Sequence, residues 1–179
     1  MSLAKALSSA YMPLSAAIVT GELYDPMVPA SAEIGVFSHG YTYSGHPVAC
    51  AVAAKVIEIY ERDNLFERAA TVGEYLQTRL QEFAEHPLVG EVRGVGLIAA
   101  LELVANKGTR QAFTDYAPGV QCMKACESHG LIVRAMGNSI ALCPPLIITR
   151  EQVDELIEKL TAGLADTLDF VNRENLLVA

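Results

Sequence analysis

Between residues 65 and 104 the hydrophobic period of the chain changes once, and that change limits the folds open to it. Leu65, Ala69, Val72, Leu76, Leu80 and Phe83 recur at steps of three and four, the stripe of an amphipathic helix that Asn64 can cap. From Leu88 the helical period stops. Val89-Gly90-Glu91-Val92-Arg93-Gly94-Val95-Gly96 leads into residues 97–104, Leu-Ile-Ala-Ala-Leu-Glu-Leu-Val, a strong strand. A turn at Asn106-Lys107-Gly108 follows, then a helix from near Pro118 to Ser128 with Gly130 in its C-cap region. Residues 131–134 and 139–142 read as two short strands around a hairpin-like turn at Met136-Gly137-Asn138, with Arg134 ending the first of them. Pro144-Pro145 ends the pair. The last helix begins at Thr149, with Gln152 completing a capping box, and turns Val153, Leu156, Ile157, Leu160, Leu164 and Leu168 inward. Helical and strand patterns alternate, so the fold class is α/β.

The first third is organised differently. Residues 15–20, Ser-Ala-Ala-Ile-Val-Thr, form an apolar run after Pro13 and read as a buried strand. Residues 21–45 are rich in Gly, Pro, Ser, Tyr and His and are expected to be irregular, a long loop of the kind that carries function. A helix opens at His46-Pro47, where the missing N–H of proline costs nothing, and runs to about Tyr60. It is apolar nearly all round and so expected to be buried.

Thirteen basic and twenty-one acidic residues give a net charge of −8, and the acidic residues are spread along helices. Nucleic acid needs a clustered basic face, which is absent. The mean hydropathy of +0.28 is high, yet no apolar run is long enough to span a membrane. The four cysteines form no framework, which points to reduced thiols and a cytoplasmic location. Cys122 and Cys126, one turn apart, lack the further ligands a metal requires, as do His39 and His46 across their glycine-rich loop, so no metal is expected. Gly94 and Gly96 precede a strand, whereas a dinucleotide fingerprint follows one and opens a helix.

Lys5 lies among Leu3, Ala4, Ala6, Leu7, Ser8, Ser9 and Ala10. An ammonium group in such surroundings is desolvated, which favours the neutral amine able to attack an aldehyde. Thr42, in a glycine-flanked loop, has the hydroxyl and neighbouring N–H groups that suit a phosphate. The planar fork of Arg134 suits a carboxylate. Taken singly, each has an ordinary alternative: a surface lysine, a local turn bond, a surface arginine.

Several segments in order resemble one family. Residues 4–16 around Lys5 are similar to the cofactor-lysine turn of class III (omega) aminotransferases, which depend on pyridoxal 5'-phosphate (PLP). Residues 37–47, Phe-Ser-His-Gly-Tyr-Thr-Tyr-Ser-Gly-His-Pro, look like that family's phosphate segment. Residues 93–97, 130–134 and 142–149 match further segments in order and approximate spacing.

The resemblance implies the C-terminal part of the PLP-dependent transferase (aspartate aminotransferase-like) fold. Residues 1–87 would be a remnant of the large cofactor-binding domain, and residues 88–179 a small C-terminal α/β domain. Lys5 would carry the cofactor and move the proton. Thr42 and the main chain of Tyr41 would bind the phosphate across a homodimer interface. Arg134 would orient a substrate carboxylate and swing away when none is present. Substrates would be small amines and keto acids. The family's ring-stacking aromatic and pyridinium aspartate lie ahead of its lysine. The chain therefore reads as starting inside a larger one, after a Met1-Ser2-Leu3 leader, and as inactive and self-associating alone. Two rival expectations are a non-catalytic dimerising module and a decarboxylase, racemase or aminomutase on the same framework.

Overall fold

The computed structural model describes residues 1–115 and 117–178. The chain divides into two compact units, Met1–Asn64 and Leu65–Ala179. Among the described residues no helix is long and apolar enough to cross a membrane.

In the first unit, β1 (Ser2–Leu3) pairs antiparallel with β2 (Ala16–Ala17), and a 3-10 turn (Lys5–Ser8) follows β1. The strand expected over residues 15–20 is thus two residues long. Ile18 and Val19 beyond it are 48% and 54% exposed, because no second layer of this unit lies over them. The stretch expected to be irregular holds two helices, α1 (Gly21–Tyr24) and α2 (Met27–Ile34). Its prolines misled the reading. Pro26 stands just before α2 and Pro29 in its first turn, where no N–H is needed, and the residues after them are helix formers. Gly35, at φ 94°, ends α2.

Helix α3 (Pro47–Arg62) starts where the sequence places it, with the His46 ring nitrogen Nδ1 accepting from the Ala49 N–H at 3.4 Å. Only Ala49, Ala53 and Val56, one stripe, are buried; Val48 and Ile57 are exposed. The expected all-round burial fails for want of a layer on the far side. The covered side faces the 3-10 turn, where the Tyr60 hydroxyl donates to the Ala6 carbonyl at 2.8 Å.

The second unit is built on a four-stranded antiparallel sheet, ordered β3 (Val89–Val95), β4 (Ile98–Leu103), β6 (Ser139–Leu142), β5 (Arg134–Met136). Helices α4 (Leu65–Leu80), α5 (Ala117–Ser128) and α6 (Arg150–Arg173) complete it. Helix α4 packs on β3 and α6, and so belongs with this unit although it precedes Leu88. Alternation along the strands sends Leu101, Leu103, Ile140 and Leu142 into the core with Leu76, Leu80, Leu160 and Leu164. The alternate residues, among them Arg93, Ala100, Ala141 and Arg134, lie on the opposite face.

The helix ends follow their signals. The Thr149 side chain and Gln152 form the capping box of α6, and the Leu131 N–H returns to the Cys126 carbonyl past Gly130 at φ 78°. Asn64, expected as a cap, sits instead in the left-handed region at φ 47°, which asparagine tolerates.

Two close approaches fix this unit. The β5–β6 hairpin turns on Gly137-Asn138, with Gly137 at φ 64°. The Asn138 side chain accepts from the Gly119 N–H at 2.9 Å and donates to the Asp115 carbonyl at 2.7 Å, so it locks the start of α5 to the hairpin. A Cβ on Gly119 would stand 2.0 Å from the Gly137 carbonyl oxygen. On the far side, the Lys107 ammonium donates to the carbonyls of Ala84, His86 (2.9 Å) and Val89 (3.3 Å). Burial, and secondarily the Lys107 charge, lower the His86 pKa below 6.5.

Gly119→Ala should lower the urea midpoint, costing about 1–3 kcal/mol by overpacking against backbone that cannot yield. An unchanged midpoint would mean the hairpin and α5 separate easily. His86 is a base whose folded pKa lies below its unfolded value of about 6.5, so protonation penalises the folded state. Its contribution is intact above pH 6.5 and should be lost as the pH falls from there through the lower folded value. That part of the stability profile should disappear in His86→Asn, measured by denaturant titration at stepped pH.

Candidate active site

Within the first unit, Lys5 begins the 3-10 turn at φ 52°, in the left-handed region, while Ser8 is buried with its hydroxyl donating to the Met12 carbonyl at 2.6 Å. Among the described residues the Lys5 ammonium makes no hydrogen bond or ion pair, and it is exposed. The desolvation expected from its neighbours is not supplied, since the flanking alanines and serines are too short to cover a lysine stem.

The phosphate-like segment folds as a tight turn. The Tyr41 N–H donates to Ser44 Oγ at 3.0 Å, and its carbonyl accepts from the Ser44 N–H at 2.9 Å. The Tyr41 main chain is therefore engaged by Ser44. The Thr42 hydroxyl is exposed and has no partner among the described residues. The Tyr41 ring meets His39 edge-on at 5.5 Å and is 76% exposed. A groove of about 610 Å³ runs between the two segments, with Ala4, Pro13, Leu14, His39, Tyr41 and Ser44 among its walls. Neither Lys5 nor Thr42 is among its lining residues, although each is next in sequence to one, Ala4 and Tyr41. The Lys5 amine and the Thr42 hydroxyl are both exposed and unengaged among the described residues.

In the second unit Arg134 opens β5 rather than ending a strand, because residues 131–133 are spent leaving α5. It pairs with Ala141 and points off the face opposite the core. Across the sheet the register gives the row Arg93, Ala100, Ala141, Arg134, followed by the row Glu91, Glu102, Ser139, Met136. Arg93 donates to Glu102 at 2.9 Å, to Ser139 Oγ at 3.0 Å and to Glu91 at 3.1 Å. Glu102, ahead of Glu91, keeps its guanidinium more firmly protonated than usual. Arg134 is exposed and has no partner among the described residues. Glu102 and Ser139 went unremarked in the sequence because their partner is on another strand; only the alternation of polar residues hinted at their face.

No group of three metal-ligating side chains occurs among the described residues. Cys122 and Cys126 are fully buried between α5 and α6. The hydrogen bond to Cys122, together with burial, pushes the Cys126 thiol far up, which keeps it protonated.

Lys5, Thr42 and Arg134 are thus each exposed and without a partner among the described residues. The aminotransferase class III family model matches residues 1–164, and the chain belongs to that family. It is 48% identical over 158 residues to a putrescine–pyruvate aminotransferase of Pseudomonas aeruginosa, covering 88% of this chain and 34% of that protein. It is 43% identical over 168 residues to gamma aminobutyrate transaminase 1, mitochondrial, of Solanum lycopersicum, covering 93% of this chain and 33% of that protein. Among solved structures, the omega transaminase of Pseudomonas jessenii in complex with PMP superposes with a TM-score of 0.91 at 40% identity, over 96% of this chain and 38% of that one. The chain thus spans about a third of the length of the curated relatives it matches.

Since Arg134 holds nothing in place, Arg134→Ala should change the unfolding free energy by less than about 0.5 kcal/mol. Arg93→Ala should cost about 1 kcal/mol, a solvent-screened value, by removing the partner of two carboxylates. Equal costs in denaturant titrations would make Arg134 structural.

Proposed function

We propose that this segment serves, within a protein of its relatives' length, in PLP-dependent transamination from an amine or omega-amino acid to a keto acid or aldehyde. The observation that carries the reading is the trio Lys5, Thr42 and Arg134, whose polar ends have no structural employment among the described residues. The relatives named above support the amine and keto acid substrates.

Bound PLP supplies an aldehyde that takes up the amino group and a ring that withdraws electrons from the substrate carbon. The chain's own residues do the rest. Lys5 Nζ would hold the cofactor and, when free of it, would take the proton from the substrate carbon as general base and return it as general acid. Thr42 Oγ1 would donate to a phosphate oxygen of the cofactor. The Tyr41 N–H could join it only by leaving Ser44, so Thr42 is the principal anchor of this segment. Arg134 orients the substrate carboxylate through a bidentate pair.

A homodimer is part of this proposal. Ile34, Val36, Phe37, Tyr41 and Tyr43 are 69–85% exposed in one stretch, an apolar surface of the kind that subunit contacts cover. The residues before and after the 64/65 division then take the roles of cofactor-binding portion and small domain.

In the longer protein, Thr42→Ala should weaken PLP retention by about 1.5–3 kcal/mol, the value of one hydrogen bond to a charged group, with little change in the chemical step. An unchanged PLP dissociation constant would return Thr42 to a turn role. Arg134→Ala should cut kcat/KM for a keto acid far more than for a simple aldehyde, since only the keto acid's charge loses its partner. Equal losses for the two acceptors would remove Arg134 from the substrate site.

A further inference from the structure

The loop that bears Thr42 is tied to α3 through a side chain that changes charge near neutral pH. Two turns overlap there. The Tyr41 carbonyl accepts from the Ser44 N–H at 2.9 Å, and the Tyr43 carbonyl accepts from the His46 N–H at 3.2 Å. Gly45, at φ 68°, supplies the left-handed residue between them. His46 then caps α3: its ring Nδ1 accepts from the Ala49 N–H at 3.4 Å, and its carbonyl accepts from the Cys50 N–H at 3.0 Å. Nδ1 is as many bonds from Cα as the side-chain oxygen of an asparagine cap. An asparagine stays neutral, whereas a histidine gains a proton between about pH 8 and 5. The half-buried ring borders a hollow of about 320 Å³ with Met12, Pro13, Leu14, Tyr43 and Ala49, and the Tyr43 ring meets it edge-on at 6.2 Å. The Tyr43 phenol is the only other titratable group among these residues, and no carboxylate is there to offset an imidazolium. Lys5, on the 3-10 turn packed against α3, is not a lining residue, and the next titratable side chain along α3, Cys50, is exposed.

We propose that His46 is a positioning residue for Thr42 that works only in its neutral form. Neutral Nδ1 holds the first turn of α3 and, through the Tyr43 turn, the Thr42 loop; protonation releases both. The proton takes the lone pair that accepts from Ala49, a buried residue whose N–H is then left without a partner. The new charge also stands at the positive end of the helix dipole, where a cation is unfavourable. The consequence for the cofactor rests on the phosphate role proposed for Thr42. Its grip on a phosphate should weaken as the pH falls through the range in which His46 charges.

The test needs no cofactor and uses the 179-residue chain: an NMR titration from about pH 8 to 5, following the His46 ring and the amides of Ala49, Thr42 and Ser44. All three amides should shift with the midpoint of the ring. In His46→Asn, which keeps an acceptor in place and does not titrate in this range, they should hold their high-pH positions. In His46→Ala the Thr42 and Ser44 amides should stay near their low-pH positions throughout. His46→Ser, a shorter cap without a titration, replaces the asparagine variant if that one fails to fold. Thr42 and Ser44 amides that ignore the His46 ring, or that titrate equally in the asparagine or serine variant, would overturn the proposal. In a protein of the relatives' length, the same fall in pH should weaken PLP retention several-fold more than it does in His46→Asn, and equal losses would remove the effect on the cofactor. Retention unchanged in Thr42→Ala would instead sink the phosphate reading and leave the cap to stand on the titration, so the two claims fail separately.

Discussion

The second unit depends on the one-sided burial of its antiparallel sheet. Alternation puts Leu101, Leu103, Ile140 and Leu142 on a single face, where they share a core with the inner stripes of α4 and α6. Every residue between them is thereby committed to the other face. The presentation of Arg134, Arg93 and Glu102 together is a by-product of this period of two, and a one-residue slip in β6 would scatter them. The lock between Asn138 and the start of α5 guards against such a slip, because the hairpin can take only the register that offers its amide to Gly119 and Asp115.

The first unit is organised by other means. There the backbone is bent sharply rather than layered: Lys5, Ser9 and Ala10 all adopt positive φ within one short segment. Non-glycine residues in that region are strained, and strain of this kind collects where a side chain must be aimed. The buried Ser8 hydroxyl and the Tyr60 bond to Ala6 hold the bend from two sides. Lys5 begins this bent turn, and residues of the Thr42 loop, His39 to Gly45 without Thr42, share a groove with Ala4 and Pro13.

The parts legible in the sequence were those decided by local physics. The capping box at Thr149 and Gln152, the stop at Gly130 and the α4 stripe each depend on residues within a few positions of one another, and they appear as read. Residues 21–34 are largely helical because Pro26 and Pro29 stand where a helix start tolerates them, whereas residues 35–45 are irregular as expected. The strand at 15–20 was overdrawn because its apolar run implied a covering layer, and Ile18 and Val19 have none within their unit. Lys5, Thr42 and Arg134 are singled out by resemblance, but their surroundings are not legible there. Whether Ser44 engages the Tyr41 main chain, or Glu102 meets Arg93, depends on a turn closure and a cross-strand register that no linear spacing encodes.

The central claim is that Lys5 is the residue to which the cofactor bonds. It is tested most directly by borohydride reduction of a PLP-loaded protein of the relatives' length that carries this segment, followed by peptide mass spectrometry. The reduced cofactor should be found on the peptide containing Lys5, and Lys5→Ala should abolish it. A comparable yield on any other lysine, or an adduct that survives Lys5→Ala, would contradict the account.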